Sequence, residues 1–443
     1  MQSMTIRPVL AVVLAVMAGP ALALDFLVNS NLDVAEATPG DGQCNPINAV
    51  GNTCTLRAAI MEANANPGPH NIFLPSGSYN LDLTGIDEDA AATGDLDILA
   101  DIRIVNGTDN PPLVLGNFSD RVFDVHEGAG LTLVNLGVAN GMANAPGNVH
   151  GGGIRVNAGA ELELDQVTVS TNIANIGGGI YNDGTVLIAD SEFFHNALLD
   201  DNANSDFTDG AAIFNRGVLS IERSTFRNNG VFPGGSGLLT NEYAIHSRQG
   251  IVSQPLVLIS NSTFYENTNG IFSDGVNTGI SFSTLVDNNA RGIRFLPDID
   301  SLGDLQFQIH QTVVVGHDGD CNGIPDDQPE YDVTGNANAS SDETCGFSGI
   351  GDFQNIANPF NGTAGDHGGK TPTFMPRSNG ILVDPATGDC GPMGGNEDQR
   401  GKARPIDGDS SGGATCDIGA VEFDPGTDPE LGDGLFGDRF EEA

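Results

Sequence analysis

The sequence predicts an all-β chain wound into a parallel β-helix, and three observations carry that expectation. Between residues 129 and 317 one short phrase recurs seven times, anchored on Leu131, Leu164, Ile188, Ile221, Ile259, Ile280 and Ile309. Five residues beyond each anchor stands another apolar residue: Leu136, Val169, Phe193, Phe226, Phe264, Leu285 and Val314. The anchors are 33, 24, 33, 38, 21 and 29 residues apart, and within each copy the apolar residues alternate with polar ones, the period of a strand with one buried face. Glycine-rich segments lead into most copies, as in Gly151-Gly152-Gly153-Ile154 and Gly177-Gly178-Gly179-Ile180. Glycine lets the chain bend tightly from one sheet to the next without a Cβ clash, and strand, bend, strand, bend makes a solenoid.

The remaining elements follow in chain order. Residues 1–23 read as a secretory signal: Arg7 supplies the charge, Val9 to Ala18 an apolar core and Ala21-Leu22-Ala23 a small-x-small cleavage site. No segment approaches the 18 or so apolar residues a membrane span requires, so no transmembrane segment is expected. Residues 24–128 are expected to form an N-terminal cap and the first irregular coils. Leu56, Ala59, Ile60 and Ala63 fall at helical spacing, with Thr55 as N-cap, and a short helix there covers the open first coil; Arg57 and Glu62 are expected on its solvated rim. Residues 129–317 are the regular coils, with inserts near 199–209 and 230–243. Residues 318–423 form a Cys-containing C-terminal region, and 424–443 an acidic tail.

Asn172, Asn196, Asn229, Asn267 and Asn288 recur at one offset in successive copies. Equivalent residues on stacked coils lie about 4.8 Å apart, so their amides can form a hydrogen-bonded ladder at a turn. Asn also tolerates the left-handed backbone such bends need. The functional alternative is a row of ligand-binding amides.

Composition limits the partners. With 17 basic against 59 acidic residues and a net charge of −42, the surface repels nucleic acid and anionic membranes. Six cysteines in an exported chain point to disulfides; of fifteen possible pairings, the local couples Cys44–Cys54, Cys321–Cys345 and Cys390–Cys416 are favoured.

Three stretches carry a family resemblance. CTLRAAIMEANAN, with GDLDI and DRVF downstream, resembles the N-terminal motif of bacterial CSLREA-domain proteins. The GGGI and FxxN segments (FFHN, FRNN, FYEN) resemble the repeats of polymorphic outer-membrane proteins, and GDHGGKTPTFMP with DQRGKARPIDGDSSGGATCDIGAVE is similar to the C-terminal region of the choice-of-anchor Q family. The resemblance implies an exported, right-handed, pectate-lyase-like β-helix at the bacterial surface or beyond it. It implies no reaction. The terminal DGLFGDRFEEA resembles a short motif on some secreted bacterial proteins, with Arg439 in place of the usual Gly.

Two candidate sites emerge. In HDGDCNGIPDD, Asp318, Asp320, Asn322 and Asp326 alternate around Gly323 in a Ca²⁺-loop spacing, so a structural Ca²⁺ is one expectation and an acidic turn beside a disulfide the other. The residues following each lead-in Ile, or its equivalent, are Arg155, Tyr181, Phe214, His246, Phe272 and Arg294. If the Ile points inward, these six point outward as a stripe of rings and guanidinium groups suited to sugars or protein partners; the alternative is that the inserts simply cover Phe214 and Phe272. Catalysis fits less well: the only lysines, Lys370 and Lys402, lie beyond the repeats, and Arg291, Arg294, Asp287 and His246 offer at most an approximate lyase constellation. The expectation is a secreted or cell-surface interaction protein, adhesin-like or glycan-binding and non-catalytic, whose partner is an extracellular glycan or cell-surface protein. A polysaccharide lyase or glycoside hydrolase acting on acidic polysaccharide is the alternative.

Overall fold

The computed structural model of the protein describes residues 23–428 apart from 67, 87, 146, 148, 200–209, 231–241, 251–254, 297–305, 323–331, 386–389 and 391–395. Residues 1–22 of the expected signal (1–23), most of both inserts and the tail beyond 428 lie outside the described residues. Alternation of apolar and polar residues yields short strands that pair in parallel with their equivalents one coil away. The result is a right-handed parallel β-helix with three long sheets. Sheet 1 has eleven strands, from Asp25–Leu27 to Asp332–Thr334; sheet 2 has nine, from Leu96–Ile98 to Gly319–Asn322; sheet 3 has ten, from Ser78–Asn80 to Ala339–Ser340.

The anchors fill the interior. Leu164, Ile188, Ile221, Ile259, Ile280 and Ile309 stand in one register on sheet 1, all at most 3% exposed. Burying each such side chain contributes about 1.5–3 kcal/mol. The first anchor is displaced from the expected one: Leu133, not Leu131, pairs with Leu164, and Val138, not Leu136, pairs with Val169. Leu131 pairs instead with Leu162, and both face the same core, so a two-residue slip in the reading preserved the alternation. On sheet 3, Phe193, Phe226 and Phe264 are fully buried and stack face to face at 4.6 and 4.7 Å. The coil also runs past residue 317, where the phrase ends: Gly319–Asn322, Asp332–Thr334 and Ala339–Ser340 each extend a sheet.

The Asn row is a ladder. All five side chains are fully buried, and each Nδ2 donates to the next Oδ1: Asn172 to Asn196 at 3.1 Å, Asn196 to Asn229 at 3.0 Å, Asn229 to Asn267 at 2.9 Å and Asn267 to Asn288 at 2.8 Å. Each Oδ1 also accepts the backbone N–H of the preceding ladder Asn, which fixes the orientation of every amide. The left-handed residue of the turn is the one before each Asn (Thr171, His195, Asn228, Glu266, Asp287; φ 48–57°), so the ladder Asn is selected for its amide and not for its backbone freedom. Such a polarised chain ends on a donor and needs an acceptor. His317 Nε2 lies 3.2 Å from Asn288 Nδ2, and His317 Nδ1 lies 3.0 Å from Asp320 Oδ1, which assigns the ring proton to Nδ1.

The N-terminal cap is helix Leu56–Ala65, with the Thr55 hydroxyl accepting the Ala58 N–H. Arg57 and Glu62 are not on a solvated rim, since they are 1% and 0% exposed. Arg57 forms a two-pronged ion pair with Asp33 and donates to the carbonyls of Ala91, Gly94 and Asp95. Glu62 accepts the backbone N–H groups of Gly40 and Gly42. A helix lying across the solenoid mouth puts its polar residues against the loops that close that mouth, where backbone groups need partners.

All three expected disulfides are formed: Cys44–Cys54, Cys321–Cys345 and Cys390–Cys416. The C-terminal region folds back along the outside of sheet 3. There Thr225, Thr263 and Thr284 stand in register, and their hydroxyls meet Pro372 O (2.7 Å), Gln399 Oε1 (2.6 Å) and Ala420 N (3.0 Å). Val286, Val313 and Val315 pack beneath Phe360, Phe374, Leu382 and Ile418. Inside this cover Arg404 pairs with Glu422 at 2.7 Å, both wholly buried.

Candidate functional site

Sheet 2 carries the expected stripe. Its short strands place Arg155, Tyr181, Phe214, His246, Phe272 and Arg294 in one continuous register, each following an isoleucine that is at most 1% exposed. The register extends at one end to Asp124 and Asp97 and at the other to Asn322. The stripe is not open. Tyr181, Phe214, His246 and Phe272 are 3–5% exposed, and only Arg155 and Arg294 are half-buried. Equivalent rings lie one coil apart and so touch along the row. His150 stacks on Tyr181 at 4.3 Å, Tyr181 on Phe214 at 5.6 Å and His246 on Phe272 at 4.5 Å, while Phe214 meets His246 edge-on at 5.3 Å. The Arg294 guanidinium caps the Phe272 ring at 4.6 Å.

At the N-terminal end of the row, sequence reasoning missed a compact polar cluster. Asp95, Asp97 and Asp124 are buried with carboxylate oxygens within 4.8 Å of one another, and Asp97 also lies within that range of Asp89 and His126. Asp124 pairs with Arg155 through both oxygens, and accepts from Arg121 at 3.3 Å and Asn157 at 2.7 Å. Asp95 lies 3.0 Å from Arg121. Asp97 Oδ1 lies 2.9 Å from His126 Nε2, while Oδ2 accepts the Ala91 N–H at 2.7 Å. Burial pushes the Asp95 carboxyl up to about 8 against the pull of Arg121, and raises Asp97 against its bond to His126. That same bond raises His126. Burial, with Arg121, Arg155 and Arg216 adding to it, lowers His150 to about 4. The available signal was the GDLDI segment with its alternating carboxylates, but only the coil stacking brings it beside Asp124 and His126.

The expected Ca²⁺ ligands are placed differently from one another. Gly319–Asn322 is an extended strand, not a tight turn, because it continues sheet 2 against Arg291–Leu296. Asp318 and Asn322 are exposed, whereas Asp320 is wholly buried. Its carboxylate accepts from Ser341 N and Oγ and from Asp342 N, besides facing His317. Asp326 and Gly323 lie outside the described residues. Of the lyase-type candidates, Arg294 is committed to Phe272 and His246 to the ring stack.

No family model matches the chain, and no curated protein matches it. Among solved structures, the crystal structure of pectate lyase Pel9A aligns over 91% of this chain and 98% of its own, with a TM-score of 0.46 and 13% sequence identity. A likeness at that level assigns no residue and no activity.

Proposed function

We propose that the chain is an exported, non-catalytic interaction module, adhesin-like in character, that meets an extracellular glycan or cell-surface protein along the outward face of sheet 1. The observation that carries this reading is how the three flanks are used. The outside of sheet 3 is occupied by the C-terminal region, and the rings of the row on sheet 2 are buried. Sheet 1 presents in-register outward residues: Thr132, Glu163, Leu187, Ser220, Leu258 and Gly279, with Leu187 46% and Leu258 43% exposed. Apolar side chains spaced along a flat polar sheet suit stacking against an extended ligand or a partner's surface. Export is supported by the three disulfides, and no helix among the described residues is long and apolar enough to cross a membrane. The structural Ca²⁺ expected on Asp318, Asp320, Asn322 and Asp326 is a separate question from this reading; calorimetry with millimolar Ca²⁺ giving neither heat nor a melting shift removes it.

The test is a glycan array combined with product analysis, with and without Ca²⁺, on the wild type and on Leu187→Asp/Leu258→Asp. Binding without turnover that the double variant loses supports the module. Released reducing ends or unsaturated uronates overturn it in favour of the lyase or glycosidase reading.

A further inference from the structure

The polar cluster at the head of sheet 2 divides by charge. Arg155 and Arg121 lie against Asp124 and Asp95, so the guanidinium charge is spent on that side. Asp97 is shared: it lies within 4.8 Å of Asp95 and Asp124, and also within 4.8 Å of Asp89 and His126, where two carboxylates and one imidazole come together without a guanidinium among them. A hydrogen bond between His126 and Asp97 accounts for two of them, and Asp89 adds a third donor from the exposed side. Burial is graded across the trio. Asp97 is wholly buried, His126 half-buried and Asp89 exposed, which leaves one side open to solvent.

We propose that Asp89, Asp97 and His126 form a binding site for a divalent transition-metal ion of the zinc or manganese class. One imidazole nitrogen with two carboxylates is a donor set such ions accept, and solvent completes the coordination. The distances fit. Two atoms each about 2.1 Å from one ion stand about 3.0 Å apart at 90° and about 3.4 Å at the tetrahedral angle, so an ion replacing the proton of the 2.9 Å hydrogen bond between His126 Nε2 and Asp97 Oδ1 needs only a small spreading of the pair. The ligands are also braced from behind, as metal sites require. Asp97 has its second oxygen held by the Ala91 N–H and its backbone carbonyl held by Asn64 Nδ2 at 2.7 Å. Arg57 grips the carbonyls of Ala91, Gly94 and Asp95, which fixes the segment joining Asp89 to Asp97. This gives the helix-borne Arg57 of the N-terminal motif a positioning role. The inference stands apart from the contact face on sheet 1.

Isothermal titration of the chelator-treated full chain with Zn²⁺ and separately with Mn²⁺ tests it, alongside His126→Ala and Asp89→Asn. Loss of one ligand is expected to weaken binding by at least about tenfold, in line with the sensitivity of metal sites to their supporting groups. Asp89 is exposed, so Asp89→Asn should keep the wild-type melting temperature in chelator, and its weakened binding is then a site effect. Cobalt substitution adds a readout of coordination: a visible band that appears with the wild type and is lost in His126→Ala. The proposal is overturned if neither ion binds the wild type below about 1 mM, or if both variants bind with unchanged affinity.

Discussion

Replacing Asn229 by Ala removes the middle rung of the ladder. Its Nδ2 donates to Phe193 O at 2.9 Å and to Asn267 Oδ1 at 2.9 Å, and its Oδ1 accepts the backbone N–H of Asn196 at 3.1 Å and Asn196 Nδ2 at 3.0 Å. Alanine restores none of these, and the site is fully buried, so the Asn196 N–H loses its acceptor and the Phe193 carbonyl loses this donor. A buried polar group left unpaired costs about 1–3 kcal/mol, so the stranded Asn196 N–H sets the expected loss at about that size. Asn229→Asp should be at least as damaging, because a carboxylate cannot donate to Phe193 O or Asn267 Oδ1 and would place a charge among amides. The assay is urea unfolding followed by far-ultraviolet circular dichroism, with hydrogen exchange at the Asn196 amide as the local reporter, since stacked coils can open in parts. Exposed Asn144→Ala is the control. A loss below about 1 kcal/mol for Asn229→Ala, with the Asn196 amide still protected, would refute the view that the ladder is a load shared by successive coils.

Three further outcomes follow from the same structure. Arg57→Met leaves Asp33 buried without its ion pair and strands three carbonyls, so a loss of about 3–5 kcal/mol is expected by thermal or urea unfolding; a neutral result would mean the mouth of the solenoid closes without it. Gln399→Ala deletes contacts to Thr263, Thr225 and Thr371, and limited proteolysis should cut the C-terminal region faster while the coils stay intact; unchanged cleavage would show that the valine–phenylalanine packing alone holds the cover. His150 is held neutral in the fold, with its pKa down at about 4 against the usual 6.5. As pH falls through that window the unfolded chain takes up a proton the folded chain refuses, so stability drops. His150→Phe should keep the stack on Tyr181 and flatten that acid loss; identical pH profiles for variant and wild type would contradict it.

The periodic part of this protein was legible because parallel stacking repeats one environment. Ile188, Ile221 and Ile259 each see the same neighbours one coil above and below, so the sequence must repeat wherever the geometry does. That logic identified the strands, the buried face, the Asn ladder and the ring row; separately, the cysteine spacing identified the three disulfides. The first coil escaped by two residues, since Leu131 and Leu133 satisfy the same alternation and only pairing distinguishes them. Alternation says which way a side chain points, not what lies over it. That Tyr181 and Phe272 are buried among neighbouring rings and not open is a fact of the tertiary structure alone. Arg57, Asp97 and the threonine row belong to the same class. Their partners sit 24 to 147 residues away with no period linking them, and only the closed coil and the returning C-terminal region bring them into contact.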